Sequence, residues 1–101
     1  MKKKSNKLAK LEKSRYSILT DNMDICWICH RPASDIHEIY GGGNRQVSMQ
    51  NGFCIPLCRE HHQRVHINSN TSNLLKSHCQ LVFEKNHTRE EFMKLIGRNY
   101  L

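Results

Sequence analysis

The sequence predicts an α+β domain: two short strands and a helix gathered round one metal site, a second metal site beneath, and helices at both ends. Three observations carry this. Nine of the chain's twelve Cys and His residues fall within the 41 positions from Cys26 to His66, and so dense a set of nitrogen and sulfur donors points to metal. Within that stretch the apolar spacing changes from strand-like to helical, and it is helical again further on. Finally, 101 residues make one small domain at most, whose thin core calls for a staple such as a metal ion.

Charge and cysteine usage narrow the class. No long apolar run predicts a membrane span, and the N-terminus lacks the apolar region of a secretory leader. The chain therefore reads as cytoplasmic and not membrane-bound, where paired cysteines are metal ligands more often than disulfides. Five cysteines is also an odd number. Of the net charge of +7, residues 1–15 carry +6: seven basic residues, Lys3, Lys7, Lys10 and Arg15 among them, stand against Glu12 alone. A basic arm on a near-neutral body suits a polyanion, and nucleic acid is the expected partner. The sequence gives no indication of oligomeric state.

The elements follow in order. Leu8, Leu11, Arg15 and Ile18/Leu19 allow a short helix with one weak apolar face, ended by Thr20-Asp21-Asn22. Cys26-Trp27-Ile28-Cys29 has the gap of a knuckle turn that aims two thiolates at one ion. Ser34 to Tyr40 reads as a strand. Gly41-Gly42-Gly43-Asn44-Arg45 reads as a loop, since three glycines suit neither helix nor strand. Phe53 to Leu57 is the second strand, with Pro56 marking an edge or its end. Arg59 to His66 is helical, and Asn68 to Thr71 breaks the chain. Leu74, Leu75, His78, Cys79, Val82 and Phe83 recur at helical spacing, which makes His78 and Cys79 core positions before ligands. Thr88 to Glu91 matches a capping box, and Gly97 stops the last helix. This gives a basic arm and helix over 1–20, a metal-bearing core over 21–70 and packing helices over 71–101, one domain overall.

Two ligand sets can be drawn. Cys26, Cys29, Cys58 and His61 form two close pairs of soft and borderline donors, suited to a closed tetrahedral structural Zn²⁺. His37, His62 and His66 leave coordination positions open, as a catalytic ion requires, and His62 and His66 are one helical turn apart. A competing parse makes one finger from Cys26, Cys29, His62 and His66. It places 32 residues between the pairs, where such fingers have roughly 12, and it leaves Cys58 and His61 unused.

The residues H-E-I-Y-G-G-G-N-R, then P-L-C-R-E-H-H and His66, preceded by the paired cysteines, resemble the HNH endonucleases. These belong to the His-Me finger (ββα-metal) group. The likeness is to the variety with a zinc knuckle, above all the small HNH proteins of bacteriophages and their bacterial hosts. It spans Cys26 to His66, with weaker echoes in S-I-L-T-D-N and G-R-N-Y-L. The resemblance implies a ββα-metal core, structural zinc on Cys26, Cys29, Cys58 and His61, and a catalytic Mg²⁺, Mn²⁺, Ni²⁺ or Zn²⁺ on His37, His62 and His66. His61 stands where many relatives have a fourth cysteine. Glu38 stands where most have the histidine that activates water, and the motif's central Asn is expected near Phe53, with Asn51 two residues before it.

Two assignments of the base are open. In one, Glu38 activates water while His37 binds metal, which follows the family's register. In the other His37 is the base and Asp35 ligates or orients. Arg45, beside the site, suits a phosphate contact. The expected function is metal-dependent hydrolysis of DNA phosphodiester bonds. The alternative is a zinc-stabilised nucleic-acid-binding module with a decayed HNH site.

Overall fold

Two four-residue extended segments, β1 (Asp35–Glu38) and β2 (Cys54–Leu57), pair antiparallel with Asp35 opposite Leu57 and Glu38 opposite Cys54. The computed structural model containing them describes residues 6–101. Five helices complete the α+β fold among those residues: α1 (Asn6–Lys13), α2 (Arg45–Asn51), α3 (Arg59–Ile67), α4 (Ser69–Phe83) and α5 (Arg89–Ile96). The α+β class is the expected one.

The strands are short, yet their ladder continues at both ends. Ser34 N donates to Leu57 O at 3.0 Å and Ile39 N to Phe53 O at 2.8 Å. Pro56 lies inside β2, opposite Ile36, rather than ending it. A two-stranded sheet has only edge strands, so the missing N–H removes no second ladder. The Pro56 carbonyl accepts from Trp27 N at 2.8 Å, which ties the knuckle to the sheet. All four residues of β2 are buried, since helices cover it as well as the knuckle.

The core joins sheet and C-terminal helices as one cluster containing Ile39, Tyr40, Phe53, Ile55, Cys79, Phe83, Phe92 and Ile96. Tyr40 meets Phe53 edge-on with ring centroids 5.4 Å apart, and Phe53 meets Phe83 in the same way at 5.4 Å. Such geometry sets the positive ring edge against the negative face. Gln80, fully buried, donates to Glu84 and Asn99 and accepts from Tyr100 N, which fastens the last residues to α4.

Several expectations are corrected. The first helix ends at Lys13 instead of reaching Leu19, because the chain beyond it is spent on tertiary bonds. Tyr16 OH donates to Gln50 O, and Ile18 N donates to Gly52 O. Gly52 has φ +74, and a Cβ there would lie 2.4 Å from the Tyr16 ring, so this crossing requires glycine. The glycine loop holds a single 3-10 turn, Gly42–Asn44, and Arg45, expected in the loop, opens helix α2. The break at Asn68 to Thr71 is one residue: Asn68 caps α4, its side chain accepting from Thr71 N. On α4, Leu75, Cys79, Gln80 and Phe83 are buried, whereas Leu74 is 71% exposed and His78 faces outward against Trp27. The capping box at Thr88 and Glu91 and the left-handed Gly97 are present as read.

Candidate metal centres

The first centre is built by a turn and a helix start. Cys26 N donates to Arg31 O and His30 N to Cys26 O, closing the knuckle, with His30 in the left-handed region at φ +64. Cys58 is the N-cap of α3 and His61 lies in its first turn. Together these bring Cys26, Cys29, Cys58 and His61 into one cluster whose donor atoms all lie within 4.8 Å of one another, so it could hold a metal ion. Cys29 Sγ is 3.8 Å from Cys58 Sγ, and His61 Nδ1 is 3.2 Å from Cys58 Sγ and 3.7 Å from Cys26 Sγ. Two sulfurs bound at about 2.3 Å and separated by a tetrahedral angle would be about 3.8 Å apart. A disulfide would need about 2.05 Å; the cysteines are free.

Arg31, which sequence reasoning passed over, supports this centre. Its Nε donates to Cys29 Sγ at 3.3 Å while its Nη2 donates to Glu60 at 3.2 Å. The Arg31 hydrogen bond pulls the Cys29 thiol down to about 6, toward the thiolate a metal requires. Cys54 and Cys79 lie in neither cluster. Burial pushes the thiols of Cys54 and Cys79 up to about 12.

The second centre lies between β1 and α3. His37 is buried on β1, and His62 and His66 sit one turn apart on α3. Their donor atoms also lie within 4.8 Å of one another. Two observations fit them to a cation. His37 Nε2 is buried with no hydrogen-bond partner, which is costly in a native protein unless something ligates it. His62 Nε2 and His66 Nε2 face each other at 3.1 Å, while His62 Nδ1 lies 3.2 Å from the Asp35 carboxylate. An Nδ1–H donating to Asp35 leaves the His62 Nε2 lone pair directed into the cluster, as in carboxylate–histidine–metal arrangements. Burial, then the neighbouring His62 and His66, lower His37 to about 4, so it is neutral and able to ligate at pH 7. The finger combining Cys26, Cys29, His62 and His66 is ruled out as a geometry, because its members divide between the two clusters.

Glu38 follows His37 on β1, and successive strand residues point to opposite faces. Its Oε1 accepts from Arg15 Nη1 at 3.0 Å and from Arg45 Nε at 3.2 Å, and Arg45 also pairs with Glu12 at 3.4 Å. Arg45 is thus neither a loop residue nor a freely solvated charge. A cavity of about 690 Å³ along the unpaired edge of β1 brings Arg15, Asp35, Glu38, Arg45 and His62 to one lining. Of the other expected nucleic-acid contacts, Lys7 and Lys10 are exposed on α1, and Lys3 lies outside the described residues.

Near the position expected for the motif's Asn, the connection between the strands is held by Ser48. Asn51 caps its own helix, donating to Val47 O at 2.8 Å. The fully buried Ser48 instead clamps the connection between the strands. Its hydroxyl accepts from Tyr40 N and donates to Tyr40 O, and its carbonyl accepts from Phe53 N. A lone serine beside Val47 and Met49 carries no periodic signal, so no pattern could have singled it out.

The family described as "protein of unknown function (DUF968)" matches residues 4–91. No curated protein and no solved structure matches the chain.

Proposed function

The chain belongs to the DUF968 family, and we propose that it is a metal-dependent endonuclease of HNH type hydrolysing DNA phosphodiester bonds. The observation that carries this reading is that buried His37, whose Nε2 has no hydrogen-bond partner, offers a donor nitrogen within 4.8 Å of those of His62 and His66. Three imidazoles leave positions open, as a catalytic ion needs, whereas the four-donor cluster beside them is closed. A divalent cation held by His37, His62 and His66 supplies Lewis-acid stabilisation of charge at the phosphate and its leaving oxygen.

The chain's own groups supply the rest. Asp35 holds the His62 ring in one tautomer and orientation. Glu38, reaching the groove it shares with His62, accepts the proton of the attacking water. The water oxygen bonds to phosphorus as the bond from phosphorus to the leaving oxygen breaks. His37, buried among the other two imidazoles, serves as a ligand in this reading rather than as the base.

A second reading, a zinc-stabilised nucleic-acid-binding module without hydrolysis, has one observation in its favour: the Glu38 oxygen Oε1 is engaged by two guanidinium groups. Nicking of supercoiled plasmid in the presence of Mg²⁺, Mn²⁺, Ni²⁺ or Zn²⁺, alongside a count of bound metal, separates the two. The nuclease holds a second, exchangeable ion and nicks DNA with at least one of these metals. A protein holding one zinc and inert with all four is the binding module.

A further inference from the structure

Glu38, Arg15, Arg45 and Glu12 form one set of two negative and two positive charges. Arg15 and Arg45 share one carboxylate oxygen of Glu38, and Glu12 takes the other side of Arg45. The arrangement joins three separate stretches of chain, α1 with Arg15 after it, β1 and the start of α2. It is not a buried structural lock, for the Arg45 side chain is 40% exposed and Arg15 20%. Both guanidiniums line the groove that reaches His62, and an arginine fork matches a phosphate as well as a carboxylate.

We propose that Arg15 and Arg45 are the phosphate-binding pair of this groove, and that a backbone phosphate of DNA takes them from Glu38 by exchange. The proposal rests on the nucleic-acid reading above and adds how that site is controlled. In the free protein each guanidinium has a carboxylate partner. When a phosphate enters, the arginines turn to its oxygens and the Glu38 carboxylate is released into the groove. Positive charge is thereby committed to DNA and a proton acceptor is uncovered in the same event. Exchange between partners of the same kind costs little, because the guanidinium hydrogen bonds are replaced rather than lost. Phosphate therefore competes with Glu38, and Glu38 does not serve to prepare the arginines for it. The two roles have opposite consequences when the carboxylate is removed.

The test measures binding of a fluorescent duplex by anisotropy, using the zinc-loaded full chain at low salt with no other divalent ion. Glu38→Gln removes the carboxylate that both arginines share, leaving Arg45 only its contact with Glu12, and should bind roughly three- to fivefold tighter than the parent, the worth of a partly exposed ion pair. Glu60→Gln removes an equal charge and likewise loosens two guanidiniums, those of Arg31 and Arg64, which do not line the groove, and shows how much of any gain is not specific to Arg15 and Arg45. Should Glu38→Gln fail to fold, Glu12→Gln removes the second carboxylate on Arg45 and should tighten binding in the same direction by a smaller factor. In parallel, the side-chain Nε–H resonances of Arg15 and Arg45 should shift when duplex is added to the parent. A Glu38→Gln protein that binds no more tightly than Glu60→Gln, or arginine resonances that stay in place, would overturn the exchange, as would a parent that binds no duplex. DNA that is bound with these signatures but never nicked with any metal would end the hydrolysis reading and leave the exchange standing.

Discussion

Replacing Cys58 with serine should remove much of the domain's stability. Cys58 is buried at the start of α3 and shares its centre with Cys26 and Cys29 across the sheet. An ion there cross-links residues 26 and 58, a closed loop of 33 residues counted along the chain. The chain entropy withheld from the unfolded state by such a link is worth about 4 kcal/mol. A domain of this length has in total about 5–15 kcal/mol. For a chain this size each kcal/mol moves Tm by roughly 4–8 °C. Cys58→Ser is therefore expected to lower Tm by roughly 15–30 °C, and stripping the ion from the parent with a chelator should do the same. The assay follows zinc release with a coloured chelator while the far-ultraviolet circular dichroism and the melting curve are recorded. A protein shown to be metal-free that keeps a native spectrum and melts within a few degrees of the parent would refute the staple.

Four further outcomes follow from the same geometry. His66→Ala, at an exposed ligand of the second centre, should lose the exchangeable ion and keep one tightly held zinc and its fold, read by metal analysis and circular dichroism. Glu38→Gln should abolish plasmid nicking with both metals retained, since an amide cannot accept the proton; single-turnover rates beside metal counts decide it, and full activity would reassign the base. Neutralising Lys7 and Lys10 together should flatten the slope of log affinity against log salt by about 1.8, two phosphates' worth of released counterion, if both lysines touch the backbone. Phe92→Ala should cost about 3–5 kcal/mol by urea unfolding, because Phe92 is fully buried against Tyr40, Phe53 and Phe83.

Much of this protein was legible in its residues alone, where chemistry is local. The Cys-x-x-Cys turn, the helical pair His62 and His66, the capping box at Thr88 and the stop at Gly97 each depend on a few neighbouring positions, and each is present. The division of seven donor residues into two clusters was legible for the same reason, because donor chemistry and spacing restrict what can converge. Helix α2 was not, since the glycines before it suppress any helical pattern and its packing, not its propensity, holds it.

What only the tertiary structure decided is what each side chain faces. Sequence placed Arg15 in a basic arm expected to meet nucleic acid and Arg45 in a loop beside the site; the fold brings both onto one oxygen of Glu38. Asp35 stands 27 positions from the His62 it orients, and Arg31 stands 29 from the Glu60 that steadies it. Ser48 became a clamp only because Tyr40 and Phe53 are brought to it. These are long-range polar contacts between single residues, and nothing periodic marks them along the chain. Ligand type and helical or strand register are local properties of a sequence. The partner of a charge is a property of the packed whole, set by which elements the core brings side by side.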